Sequence, residues 1–432
     1  MRAIGINIRT AAAISAFAVF ALSLFLCGLA TASTGCDRVA SPSGSNDNAG
    51  TLESPWQDAQ YLVDHLSPGQ TGCLRSGTFD FGGIDISQSD IVLTSYPGER
   101  ATLRGTMKIQ GGAEQVTVRD LDLDGRGSTS IGPFVFGDNA IFDNVDVTNH
   151  NTEICFVIGD AGSPDGAVAN TVIENSRIHD CGKLPAQNGD HGIYVDNAVG
   201  TIIRDNWIYD NADRGIQLYP DSQGARIYGN VIDGNGEGVI ISDFSSGNVV
   251  SDNVISNSKI RWNVEASNLQ GTGNVVRDNC VWATNTAQGG YYSMNGGVMP
   301  PSEGGEFSAS NNVTANPQFV DSASRNLNLR SASPCLAPSQ PSITLEPNTK
   351  QIQVNTPVAL RGSVSSGEGK QVTIQILRNG RWSKFGRARV KPNGRFSLRK
   401  RIGNRLASPR IRLRAKMSRD TSSRSVAIRV RD

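Results

Sequence analysis

The sequence predicts an all-β chain, a parallel β-helix followed by a small Ig-like β-sandwich. Three observations predict it. A phrase of about 23 residues recurs between His191 and Asn257 as HGIYVDNAVGTIIRDNWIYDN, RGIQLYPDSQGARIYGNVIDGN and EGVIISDFSSGNVVSDNVISN, with His191, Arg214 and Glu237 at equivalent places. A period in this range is the signature of a solenoid. Each copy holds three short apolar runs, too brief and too β-branched for helical turns, so each reads as one rung whose open edges require stacking. Past Pro338 the chain changes abruptly to alternating strands rich in Arg and Lys.

Residues 1–32 read as an export signal: Arg2 and Arg9 precede the apolar run Ala11 to Leu29, and Ala30-Thr31-Ala32 offers a small-residue cleavage pattern. The mature protein is therefore expected to be secreted or held at the cell surface, with no integral membrane segment. Removing Cys27 with the signal leaves six cysteines in an oxidising compartment, which favours disulfides. Fifteen pairings are open in principle. Neighbouring rungs are close in space, so pairing Cys36 with Cys73, Cys155 with Cys181 and Cys280 with Cys335 fits a solenoid best. No CxxC or HxxxH spacing points to zinc.

Residues 33–51 are Ser, Gly, Asn and Asp rich and predict a flexible lead-in. Ser54-Pro55 predicts the start of a short amphipathic helix carrying Trp56, Ala59, Val63 and Leu66, which would cap the first rung of a β-helix spanning 52–338. Asn144, Asn175, Asn206, Asn230, Asn253 and Asn279 are expected in one column, where side-chain amides that donate and accept can satisfy turn backbone from rung to rung. Between the first three of these the spacing lengthens, leaving GDAGSPDGAVA and CGKLPAQNGD as loops on a rigid rod. Such loops commonly carry binding residues.

These rungs, with DN or GN before an apolar pair, the phrase ANPQFVDSASRNLNLRSASPCLAP and the Asn column, resemble the secreted right-handed parallel β-helix repeat proteins of the pectin-lyase-like superfamily. The resemblance covers roughly residues 52–338. It implies a right-handed, three-sheet solenoid in which strands such as HGIYVD form the first sheet, the cleft floor in members that act on polysaccharides. The aspartate clusters and Arg-Ile-Lys tail of polygalacturonase-like hydrolases, the WIDH phrase of pectate lyases and the DPHD motif of alginate epimerases do not occur in this sequence, so the resemblance assigns no catalytic residue.

Alternation supplies candidates instead. With Ile193 and Val195 inward, Tyr194 and Asp196 face out and His191 stands at the lip; later rungs add Arg214, Gln217 and Tyr219, then Glu237, then Arg261, Asn263 and Glu265. The loop ending at Asp190 arrives beside this strip, and Asp213 precedes Arg214. On a uronate, His191 and Tyr194 are expected to exchange the proton and Arg214 to neutralise the carboxylate. Asp190, Asp196, Asp213, Gln217, Tyr219, Glu237, Arg261, Asn263 and Glu265 are expected to bind substrate. The sequence assigns no cofactor, and a carboxylate-bound Ca²⁺ would serve the same neutralisation. Asp190, Asp196 and Asp213 also permit a glycoside-hydrolase reading. His65, His150 and His179 are assigned to the cap and to turns.

Residues 339–432 predict the sandwich, with hairpins at Arg378-Asn379-Gly380-Arg381 and Pro392-Asn393-Gly394. Residues 341–432 hold 22 Lys and Arg against 4 Asp and Glu, leaving 19 against 36 for residues 1–340. A near-neutral total hides two opposite units, and the basic one is expected to bind an acidic polysaccharide or anionic wall polymer rather than nucleic acid. The sequence thus predicts a monomeric lyase or epimerase of acidic polysaccharide, or a non-catalytic glycan-binding protein.

Overall fold

Short β-branched runs fold back every rung and stack in parallel register. The computed structural model describes residues 35–432 apart from 126–131, 161–166, 188, 283–295, 305, 337–342, 350, 364–370, 379–380, 392–394, 404–409, 418–422, 424 and 432. The predicted leader, 1–32, lies outside the described residues. No helix among the described residues is long and apolar enough to cross a membrane.

Three sheets run along the rod. The first contains Phe134–Val135, Phe156–Ile158, Ile193–Val195, Arg214–Leu218, Glu237–Ser242 and Val264–Ser267. The second runs from Arg38–Ala40 to Ser308–Ser310 and includes Ile202–Arg204 and Arg226–Tyr228. The third runs from Leu121–Asp124 through Arg177–His179 and Trp207–Tyr209 to Val313–Thr314. The long strand Ala101–Ile109 joins the first and third sheets, and it turns at Gly105, whose φ of 116° and 2.7 Å clearance to Gly82 for an added Cβ exclude any side chain. Identical core positions stack: Ile193 pairs with Ile216, Ile216 with Val239 and Val239 with Val264, all fully buried. Each such side chain contributes roughly 1.5–3 kcal/mol by leaving water.

The polar column at the turn after the second sheet is one residue away from the expected place in its early rungs. Asn206, Asn230, Asn253, Asn279 and Asn312 form it, each Nδ2 donating to the next Oδ1 at 2.9–3.0 Å. Above Asn206 the slot belongs to Ser176, whose backbone N–H donates to Asn206 Oδ1. Asn144 and Asn175 instead occupy the preceding, left-handed position with φ of 56° and 53°, the slot held elsewhere by Asp205, Asp252 and Asp278. Asn211 and Asn235 make a second ladder, and Asn248 and Asn274 a third.

The start of the rod also differs from expectation. Arg38–Ala40 is a strand paired with Thr71–Leu74, not part of a flexible lead-in, because Trp56 packs beneath it and donates to Asn48 O. The capping helix is shorter than predicted, Ala59–Asp64, and Asp58 rather than Ser54 is its N-cap, accepting from the Gln60 and Tyr61 amides. Ala59, Leu62 and Val63 close the apolar end of the solenoid. All three expected disulfides are present, with Cα separations of 5.6, 5.6 and 5.3 Å.

The C-terminal module forms a three-stranded sheet (Glu346–Pro347, Pro357–Ser363, Arg395–Arg401) and a five-stranded sheet (Gln351–Gln353, Val426–Arg431, Arg410–Lys416, Gln371–Arg378, Arg381–Arg389). Val358, Leu360, Val372, Ile374, Phe396, Leu413 and Ile428 lie in the core between them. Asn379 and Gly380 lie outside the described residues, and the strands on either side pair antiparallel as a hairpin would. Residues 392–394 also lie outside them; the Lys391 amide donates to the Arg395 carbonyl at 2.8 Å across them, and the strands on either side enter different sheets.

Candidate functional site

The outer face of the first sheet is built by strict alternation. Ile216, Leu218, Val239 and Ile241 point inward and are fully buried, which aligns Tyr194, Gln217, Ile240 and Glu265 outward in successive rungs. The same line continues through Val157 and Phe134 to Lys108. Aromatic rings follow the rod: Phe134 stacks with Phe136 at 5.6 Å, Tyr194 with Tyr219 at 6.3 Å, and Phe244 is 56 % exposed. Lys108 Nζ sits 5.3 Å from the Phe136 ring, beside an open depression of about 410 Å³ lined by Gly82, Gly83, Ile84, Asp85, Thr106, Lys108, Phe134 and Phe136.

Next to this row lies a chain of alternating charge crossing three rungs. Asp213 Oδ2 is 3.1 Å from Arg214 Nη1, and Arg214 Nε is 3.3 Å from Glu237 Oε2. Glu237 Oε1 accepts from Arg261 Nε at 2.7 Å, and Arg261 Nη2 reaches Glu265 Oε1 at 2.8 Å. Arg214 Nη1 also donates to Gln217 Oε1 at 3.2 Å, and His191 Nδ1 is 3.8 Å from Asp213 Oδ2. The rungs approach this closely because Gly238 has no side chain: a Cβ there would stand 2.1 Å from the Asn263 carbonyl oxygen.

The expected solvent-facing strip is instead largely desolvated. His191, Asp213, Arg214, Gln217, Glu237 and Glu265 are all buried, while Tyr194 is half-buried and Tyr219 exposed. Burial sets the proton affinities. It pushes the Asp213 carboxyl up to about 6, against the pull of Arg214, and Glu265 up to about 7, helped by the Glu237 charge. Burial, reinforced by the Arg214 guanidinium, holds His191 well below its ordinary value, so the imidazole is neutral at pH 7. The Tyr194 phenol is pushed up by burial and by the Asp196 carboxylate and keeps its proton.

Two of the sequence candidates are tied to backbone rather than to this cluster. Asp190 accepts from the Lys183 and Gln187 amides at 2.8 and 2.7 Å and shapes its own loop. Asn263 donates to Ser258 Oγ and accepts from the Gly297 amide. Among the described residues no group of three or more His, Cys, Asp or Glu is placed to hold a metal ion, so no donor set can be assigned to Ca²⁺.

A second polar cluster escaped the sequence reading. His179 lies in a strand of the third sheet, not at a turn, with Nδ1 2.7 Å from Asp180 and Nε2 2.8 Å from Asp146 of the preceding rung, stacked on Tyr209 at 4.9 Å. Only three-dimensional register brings Asp146 beside it. Burial alone would lower this imidazole, but the two carboxylates overcome it and raise its pKa to about 9. A histidine raised above its unfolded value near 6.5 stabilises the fold fully below that pH and ceases to do so as pH rises through about 9. His179→Gln should therefore cost on the order of 3 kcal/mol near pH 6 and much less near pH 10, which paired urea titrations of variant and parent will check.

Residues 110–313 match the family described as the right handed beta helix region. A 75-residue stretch is 39% identical to pectate lyase PEL9 of Emericella nidulans (strain FGSC A4), covering 16% of this chain and 18% of that protein. The chain thus spans under a fifth of the length of that curated relative. Among solved structures, pectate lyase Pel9A aligns with a TM-score of 0.49 at 14% identity, over 70% of this chain and 92% of the other. A rhamnogalacturonan lyase aligns with a TM-score of 0.40 at 13% identity, over 68% and 95%. XylC in complex with xylose aligns with a TM-score of 0.41 at 9% identity, over 90% and 100%. The match over residues 110–313 and the parallel stacking of rungs in three sheets give this part of the chain the fold of the right handed beta helix region.

Proposed function

We propose that the protein is an exported carbohydrate-active β-helix protein, a lyase or epimerase of acidic, uronate-containing polysaccharide, anchored by its basic C-terminal module. The observation that carries this reading is the aromatic row on the first sheet lying beside a buried His–carboxylate–guanidinium chain. Rungs repeat about every 4.8 Å along the rod, so the Phe134–Phe136 and Tyr194–Tyr219 ring pairs, two rungs apart, offer a linear sugar chain two stacking points. Neutral His191, in edge contact with Tyr194 at 5.5 Å, takes the proton from the carboxylate-bearing carbon, and Tyr194, protonated and half-exposed, gives its own to the departing glycosidic oxygen or, in an epimerase, to the opposite face of that carbon. Arg214 supplies positive potential at the carboxylate-bearing carbon. Asp196, Gln217, Tyr219, Glu237, Arg261 and Glu265 line or support the face, and Asp190 and Asn263 hold its loops.

The hydrolase reading has less support, because Asp190 is engaged by two amides and Asp213 by Arg214. A binding-only reading has a specific observation behind it: Arg214 is already shared between Asp213 and Glu237. Incubation with uronate polymers, following unsaturated ends, reducing ends and uronate epimer composition in parallel, separates the three. With turnover present, Tyr194→Phe, which keeps the ring contacts, and His191→Asn should each lose about 100-fold or more in kcat/KM. Both variants staying within a few-fold of the parent would move the chemistry elsewhere. Binding without turnover would leave a glycan-binding protein.

A further inference from the structure

The outer face of the five-stranded sheet in the C-terminal module has an arrangement that net charge alone does not require. Its strand Gln371–Arg378, flanked by Arg410–Lys416 and Arg381–Arg389, presents the short polar residues Thr373 and Gln375 outward, with Val372, Ile374 and Ile376 buried beneath. Thr373 pairs with Arg387 on one side and Lys416 on the other. Gln375 pairs with Lys384 on one side and Arg414 on the other. The result is a polar floor one strand wide between two cationic rails, about 10 Å apart because adjacent strands lie about 4.8 Å apart.

One end of this trough is closed. Arg414 donates through Nε to Gln375 Oε1 at 2.9 Å and lays its guanidinium 4.3 Å from the Trp382 ring centroid, crossing the floor. Its charge is thereby fixed in place. Facing cations at this density repel one another, and surfaces ordinarily intersperse both signs. Here the balancing charge is missing: Glu346 is the only acidic residue of the module among the described residues, and among these none of Lys384, Arg387, Arg414 and Lys416 pairs with a carboxylate. Two rails with no carboxylate partner among the described residues, flanking a neutral floor, are complementary to an extended chain carrying negative charge on both edges.

We propose that this trough binds a linear polyanion with a carboxylate on each repeating unit, the class of polymer suggested for the first sheet; the choice of occupant rests on that reading. Arginine forks match carboxylates in two-point contacts. A chain held at both sites of one protein would also gain effective concentration at the first sheet.

The test uses the full mature chain and polygalacturonate, with neutral xylan, inorganic polyphosphate and duplex DNA as competing probes. Parent protein should bind polygalacturonate at low ionic strength and release it as salt rises. Arg387→Gln combined with Lys416→Gln removes one cation from each rail and should weaken binding at least tenfold. Arg361→Gln combined with Arg399→Gln, on the exposed face of the other sheet, removes the same charge and should weaken it less than threefold. Equal losses in the two pairs would reduce the trough to diffuse charge and overturn the proposal. So would a parent that binds no polyuronate at low salt, or one that prefers polyphosphate or DNA. Rail-dependent binding in a protein without turnover would sink the catalytic reading of the first sheet and leave the trough standing.

Discussion

Glu237→Ala is expected to lower the stability of the β-helix by about 3 kcal/mol, the cost of removing the central partner of a buried ion-pair network. Glu237 is 2 % exposed and accepts from both Arg214 and Arg261. Removing it takes the central carboxylate out of a buried chain and leaves Arg214 with Asp213 alone and Arg261 with Glu265 alone, each guanidinium losing a charge-assisted hydrogen bond where water has little access. Glu237→Gln keeps the shape and one acceptor and should cost less than the alanine. Urea unfolding midpoints of both variants give the comparison. A loss below 1 kcal/mol in Glu237→Ala would mean that solvent penetrates the cluster and that the chain of charges is a surface feature.

Asn230→Ala should be similarly damaging, by about 3–5 kcal/mol, for a different reason. Asn230 Oδ1 accepts from the Asn206 amide and from Asn206 Nδ2, while its own Nδ2 donates to Ile203 O, Tyr228 O and Asn253 Oδ1. Truncation orphans several buried groups at once, each worth about 1–3 kcal/mol when left without a partner. Asn144→Gly is the internal comparison. Asn144 is exposed with a φ of 56°, a conformation that glycine adopts freely, so that variant should stay within about 1 kcal/mol of the parent. Equal thermal shifts in the two variants would contradict the distinction between the buried and left-handed columns.

That distinction also marks where the sequence stops being readable. Rung period, strand count and disulfide pairing were legible because a solenoid forces identical side chains into identical slots. The Asn column was misplaced by one residue in its early rungs because asparagine suits two neighbouring slots: its amide bridges rungs in the buried one, and its short polar side chain tolerates left-handed backbone in the other. Asp205-Asn206 shows both slots filled, whereas Asn175-Ser176 shifts the letter by one. The outward positions of the first sheet were legible by alternation, but their burial was not, since covering an outward face depends on segments distant in sequence. For the same reason His179 looked like a turn residue: its partner Asp146 is 33 residues away. Counting charge revealed the basic module, while the rails needed strand register.

The buried ladder has a direction. Asn206 donates to Asn230, Asn230 to Asn253, Asn253 to Asn279 and Asn279 to Asn312, always from the earlier residue to the later. In a rod folding from its capped end each of these amides must wait for the carbonyl of the next rung, which for Asn206 stands 24 residues further on. The growing tip of the rod therefore always displays unmet donors in this column and never unmet acceptors. Two half-built tips of separate chains present the same half of the bond and cannot satisfy one another in this column.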